Sequence, residues 1–182
     1  EIAKLAAEVT VFQRTANYTV PAHNKPLDPE YVRQVKASYR EMRQRARTKP
    51  AGIDFTINPA SAIATPEEER RREFEARWTY GGLGFMASFS DLLLSDESNK
   101  TAADFVRSKI RDVVKDPTTA EALMPKNIIG CKRLCVDTGY WETFNRPNVT
   151  LVDISDEPIE RVTASGLRAK GKDYGFDCLV LA

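Results

Sequence analysis

Ile2-Ala3-Lys4-Leu5-Ala6-Ala7-Glu8-Val9-Thr10-Val11-Phe12-Gln13-Arg14-Thr15 sets the fold class of this chain. Its first half reads as the end of a helix, with Ile2, Leu5 and Ala6 on one face. Val9 to Phe12 are β-branched or aromatic and read as a short buried strand. A helix tail feeding such a strand is the second half of a βαβ unit, which predicts an α/β protein with a parallel sheet. In an open parallel sheet, ligands bind beyond the carboxyl ends of the strands, so Arg14 and Thr15 stand where a ligand is met. A guanidinium and a hydroxyl suit a phosphate. The competing reading is an arginine that caps a strand end at the surface.

Bulk composition narrows the function classes. The chain has 182 residues, 42% hydrophobic and 29% charged, with a net charge of +1. That is ordinary for one globular domain, or one domain with a large insertion. The charge balance gives no general attraction to nucleic acid or a membrane surface. No apolar run approaches the roughly 20 residues of a membrane helix. The start lacks a basic region followed by an apolar core, as a signal peptide would have. Three cysteines, at 131, 135 and 178, are an odd number. This argues against a disulfide framework and suits a reducing, cytoplasmic setting. His23 is the only histidine, so Cys131 and Cys135 lack partners at zinc-ligand spacing, and no metal is expected. The chain begins without Met and ends on Val180-Leu181-Ala182 in mid-strand by its pattern, as a piece of a longer protein would.

After a proline-containing loop over 16–28, helix signals dominate as far as Asn127. Asp28-Pro29-Glu30 opens a helix with an N-cap, a proline and an acid in the first turn. Tyr31, Val35, Tyr39, Met42 and Ala46 keep its period, and its arginines read as a solvated face. Thr65 and Glu68 stand at capping-box spacing before a charged helix that stops at Gly81-Gly82. Phe85, Met86, Phe89, Leu92 and Leu93 form the face of a third helix. Ser98 or Asn99 caps a fourth, with Ala102, Phe105, Val106, Ile110, Val113 and Val114 buried. Asp116-Pro117 opens a fifth, which ends at Leu123 or Met124.

Gly130-Cys131-Lys132-Arg133-Leu134-Cys135-Val136-Asp137-Thr138-Gly139-Tyr140-Trp141 has no clean period and holds two adjacent cations. A junction loop on a rigid scaffold is where functional groups concentrate. Beyond it, Tyr140 to Asn145 reads as a short helix and Asn148 to Val152 as a strand. Ile159–Val162 and Leu167–Ala169 form a hairpin around Ala164-Ser165-Gly166, and Lys170 to Asp173 turns again. Phe176 to Ala182 reads as a buried strand with Asp177 near its start.

Three segments together carry a family resemblance. Val11-Phe12-Gln13-Arg14-Thr15-Ala16-Asn17-Tyr18-Thr19-Val20-Pro21 resembles a segment of the Baeyer–Villiger monooxygenases, the flavin- and NADPH-dependent enzymes of the cyclohexanone and phenylacetone monooxygenase type. So does Lys132-Arg133 followed by Asp137, Tyr140, Glu142, Asn145-Arg146 and Asn148-Val149, and so does Asp177 to Ala182. The resemblance runs over essentially the whole chain. It implies the later part of a Rossmann-like NADP-binding domain of the two-dinucleotide-binding flavoprotein type, with a large all-helical insertion and a β-meander. The implied division is 1–27 and 128–182 for the nucleotide domain and 28–127 for the insertion. By resemblance, Gln13, Arg14, Thr15 and Lys132 are NADP-binding, with Arg14, Thr15 and Lys132 at the 2′-phosphate. Arg133 is the catalytic arginine, placed beside negative charge that develops at the flavin and on an attacked ketone. The implied cofactors are NADP and FAD, with the FAD site mostly outside this chain. The implied partners are a ketone, O2 and the rest of the flavoprotein chain. Cys131 and Cys135 then read as small packing residues. Two other function classes stay open: a heteroatom-oxidising flavin monooxygenase, and a helical binding module on a degenerate nucleotide fold.

Overall fold

The structure, a computed structural model, describes residues 1–49, 52, 53 and 55–181. It has helices and strands in an α/β order and forms two compact units. One unit comprises Glu1–Asn17, Arg107–Lys126 and Gly139–Ala182; the other comprises Tyr18–Val106 and Asn127–Thr138.

In the first unit, helix α1 (Ile2–Leu5) leads into strand β1 (Val9–Gln13) as expected, although its buried residue is Ala3 while Ile2 and Leu5 are exposed. β1 runs parallel to a strand far along the chain, Val149–Asp153, with Val9 opposite Val149 and Gln13 opposite Asp153. Asn148 sets that register. Its amide donates to the carbonyls of Ala3 and Ala6, both at 3.0 Å, and its own carbonyl accepts from Val9 N–H at 2.8 Å.

The second unit begins with β2 (Thr19–Pro21), a strand inside the expected loop. Helix α2 (Pro29–Ala37) starts as its signals require, with Asp28 Oδ1 accepting from Glu30 N–H at 2.9 Å. It breaks at Ser38 instead of continuing, and α3 spans Tyr39–Arg47. The Ser38 hydroxyl donates to the Gln34 carbonyl at 2.9 Å, the kind of local competition by which serine interrupts a helix. Helix α4 spans Glu67–Tyr80 and stops before Gly81-Gly82. The expected capping box is not formed: Thr65 turns back and donates its hydroxyl to the Ser61 carbonyl at 2.7 Å.

The expected third helix is a 3-10 segment, Leu83–Ala87, followed by turns. Buried Ser88 donates to the Phe85 carbonyl at 2.6 Å, and Ser90 reaches back to Pro59 O at 3.0 Å. The apolar pattern still does its work. Phe74, Phe85, Phe89 and Leu92 are buried, and the Phe74 ring lies 5.6, 5.3 and 5.3 Å from those of Phe85, Phe89 and Phe105.

Helix α5 (Asp96–Val113) begins before Ser98, so neither Ser98 nor Asn99 is its cap. Ser98 donates instead to Asp91 Oδ2 at 2.7 Å, while Asp91 Oδ1 accepts from Ala62 N–H at 2.9 Å. Partial burial pushes the Asp91 carboxyl up. Hydrogen bonds from Ala62 N–H and the Ser61 and Ser98 hydroxyls outweigh it and hold the group below its ordinary value. A lowered carboxyl contributes stability above its unfolded titration range and loses it as pH falls through the folded value. Asp91→Ala is therefore expected to destabilise the chain by about 1–3 kcal/mol at neutral pH. The gap from the parent should narrow below about pH 4, as read by urea unfolding across pH. A pH-independent gap would contradict this.

Helix α6 (Pro117–Ala122) is capped by Asp116, which accepts from Thr119 N–H at 2.7 Å. Strand β3 (Cys135–Asp137) lies in the unpatterned stretch and pairs in parallel with β2, Thr19 opposite Cys135. The short helix α7 (Tyr140–Thr143) and strand β4, the Val149–Asp153 partner of β1, agree with expectation.

The hairpin is a three-stranded antiparallel meander: β5 (Arg161–Thr163), β6 (Gly166–Ala169) and β7 (Lys172–Gly175). Gly166 is needed for close approach and not for the turn: a Cβ there would lie 1.8 Å from the Tyr174 carbonyl oxygen. Leu167, Ala169 and Ile154 are buried, with Phe12, Val152, Tyr174 and Phe176 packed against them. The expected buried strand at the end is absent over Asp177–Leu181, which is irregular and exposed, Leu181 by 86%. A buried strand needs neighbours to take its N–H and C=O groups, and among the described residues none pairs with this segment. Ala182 lies outside the described residues.

Candidate functional site

In the first unit, the carboxyl ends of β1 and β4 lie side by side. Gln13 ends β1, and its side chain is engaged within the protein: Nε2 donates to the Ala122 carbonyl at the end of α6 at 2.8 Å. Its carbonyl accepts from Ile154 N–H at 2.9 Å. The strand end is thus tied on two sides. Arg14 and Thr15 follow in a bend and are exposed. Asp153, opposite Gln13, is held below the ordinary carboxyl value by the Ser155 hydroxyl and N–H. The edge therefore carries a fork donor, a hydroxyl and an ionised carboxylate.

In the second unit, Lys132 and Arg133 are both exposed on a loop whose two ends are fixed. Before it, fully buried Tyr18 donates its hydroxyl to the Asn127 carbonyl at 2.8 Å, and Ile129 is buried. Gly130 has φ +90°, a conformation that calls for glycine, with the flexible ends of Leu93 and Met86 beside it. After the loop, Cys135 N–H donates to the Tyr18 carbonyl at 3.3 Å and β3 begins. Tyr18 thus holds both flanks of the loop, by its hydroxyl and by its main chain.

The structure brings Gln13, Arg14 and Thr15 together in one unit and Lys132 and Arg133 in the other. Cys131 and Cys135 are exposed and in no disulfide, which corrects their reading as packing residues. Among the described residues no three His, Cys, Asp or Glu side chains are grouped to hold a metal ion. No described helix is long and apolar enough to cross a membrane.

Two structural supports of the loop were not read from the sequence. Tyr18 gave no signal, because its partners lie more than a hundred residues on (|i−j| is 109 for the Asn127 bond). Asn99 did give one: it occupies the same helical face as Ala102, Ala103, Val106 and Ile110, and a polar residue in an apolar stripe needs a partner. Its amide donates to Leu92 O and Ile129 O, both at 2.8 Å, and Oδ1 accepts from Ile129 N–H at 3.1 Å.

No family model matches the chain. Individual relatives match it along nearly all of its length. A Baeyer–Villiger monooxygenase of Pseudooceanicola batsensis is 38% identical over 99% of the chain and 33% of its own length. A phenazine N-monooxygenase of Lysobacter antibioticus is 38% identical over 98% of the chain and 34% of its own. The solved structure of OTEMO in complex with FAD and NADP superposes with a TM-score of 0.93 at 39% identity, covering 96% of this chain and 33% of that one. The chain thus spans about a third of the length of the curated relatives it matches. The resemblance to Baeyer–Villiger monooxygenases carried by the three motifs is borne out along the whole chain.

Proposed function

We propose that this chain is the later part of the NADP-binding domain of an NADPH- and FAD-dependent monooxygenase that inserts one atom of O2 next to a ketone carbonyl, giving an ester or lactone. The observation that carries the reading is the exposed Lys132-Arg133 pair, displayed on a loop fixed at both ends, in a chain similar throughout to such enzymes. The nucleotide domain comprises 1–27 and 128–182 in a Rossmann-like arrangement, and 28–127 is its helical insertion. In the complete enzyme, bound NADPH supplies two electrons and FAD the reaction with O2, the second oxygen atom leaving as water. The FAD site lies mostly outside this chain.

Each residue then has a role set by its chemistry. Arg14 offers a fork donor, Thr15 a hydroxyl and Lys132 a point charge, each suited to the 2′-phosphate that distinguishes NADPH from NADH. Gln13 lies with the cofactor through the strand end that its bond to Ala122 holds in place. Arg133 puts permanent positive charge where the attacked ketone oxygen becomes negative. The partners are the ketone, O2 and the remainder of the flavoprotein. A second reading, oxidation of a heteroatom, is favoured by the phenazine N-monooxygenase at 38% identity. Product analysis with a cyclic ketone and with an aromatic nitrogen heterocycle separates the two.

The direct test of the phosphate site is Lys132→Ala in the complete enzyme. Losing a charge-assisted bond of about 1.5–3 kcal/mol should raise the KM for NADPH about ten- to hundredfold. The KM for NADH should stay put, because it has no 2′-phosphate. Equal effects on both would remove Lys132 from this role.

A further inference from the structure

We propose that Asn99 is a positioning residue for Lys132, acting through the backbone of Ile129. This deepens the 2′-phosphate reading above and rests on it. Asn99 is 3% exposed, and Ile129 is fully buried. The Asn99 amide donates to the carbonyls of Leu92 and Ile129, and its oxygen accepts from Ile129 N–H. Both polar ends of the side chain are therefore engaged. Both main-chain groups of Ile129 are held by one side chain, so its peptide planes cannot turn without breaking a buried bond.

Ile129 is also the last residue before Gly130, which turns the chain at φ +90° beside the Leu93 side chain. The chain therefore leaves the core at a set angle, and Lys132 follows at the surface. An apolar residue in this stripe would bury as well or better, so packing alone gives no reason for an amide. What the amide adds is a fixed main chain under a cation that has to meet a dianion in one place.

A residue that merely stabilised the fold would affect every nucleotide alike. The clamp should affect only the one whose phosphate Lys132 meets. In the complete enzyme, Asn99→Ala is expected to raise the KM for NADPH by about tenfold, the scale of one mispositioned polar contact, and the KM for NADH by less than about twofold. Combined with Lys132→Ala, it should add almost nothing to the NADPH effect, since the two changes remove one interaction. Asn99→Leu is close in size, loses both donors and the acceptor and buries no charge; it should reproduce the NADPH effect and serves if Asn99→Ala fails to fold. The proposal is overturned if either variant raises both KM values equally, or if the double variant is additive. If Lys132→Ala itself fails to separate NADPH from NADH, the phosphate reading is at fault and this inference falls with it. If Lys132→Ala separates them and the Asn99 variants do not, only the inference falls.

Discussion

In the complete enzyme, on the function proposed above, replacing Arg133 by alanine is expected to suppress oxygen insertion while leaving reduction of the flavin by NADPH measurable. Arg133 sits exposed on the Gly130–Leu134 loop, next to Lys132 and on a main chain fixed on both sides. The role proposed for it requires the charge to be in place before negative charge develops beside it. That is the condition under which electrostatic assistance is large. Loss of one such preorganised donor costs about a hundred- to thousandfold in rate. Arg133→Lys should recover part of the activity, since it keeps the charge and loses the planar fork. Stopped-flow absorbance of the flavin reads the reductive half, and chromatography of the ester reads the oxidative half. An unchanged ester yield from Arg133→Ala would refute the assignment. A parallel loss of both halves would place Arg133 in nucleotide binding instead.

Phe74→Ala should give the largest loss of stability. Phe74 is 2% exposed and packs its ring against those of Phe85, Phe89 and Phe105. Truncating a buried phenylalanine costs about 3–5 kcal/mol, partly in transfer free energy and partly in the cavity left behind. Around it is a 3-10 segment and a run of turns, which lack the regular ladder of an α-helix. The cavity should therefore be felt in that segment first. In a chain of this length the change corresponds to a fall in the unfolding temperature of about 6–20 °C, measured by circular dichroism. A melting temperature within about 2 °C of the parent would show that the cluster contributes far less than this burial implies.

Helix starts were legible in the sequence wherever their cause was local. Asp28 and Asp116 cap α2 and α6 through residues two or three positions on, so pattern and structure agree. The same logic failed at Thr65, where Ser61 offered its hydroxyl a competing carbonyl. It failed again at Asn99, whose side chain is claimed by Ile129 thirty residues away (|i−j| = 30). β2 and β3 are three residues each, too short to display a period. They exist because each gives the other a hydrogen-bonding edge.

What the sequence determined by itself was therefore the α/β class, the helix-rich span, the strand end at Gln13-Arg14-Thr15 and the Lys132-Arg133 pair. Those depend on residue type, capping and short-range period. The tertiary structure decided which polar groups are engaged by the protein and which are presented outward. Gln13 is bonded to Ala122 and Asn99 to Ile129, while Arg14, Thr15 and Lys132 reach the surface. A hydrogen-bond partner far along the chain leaves no periodic trace, so only the folded main chain could separate the residues that hold the site from those that face a ligand.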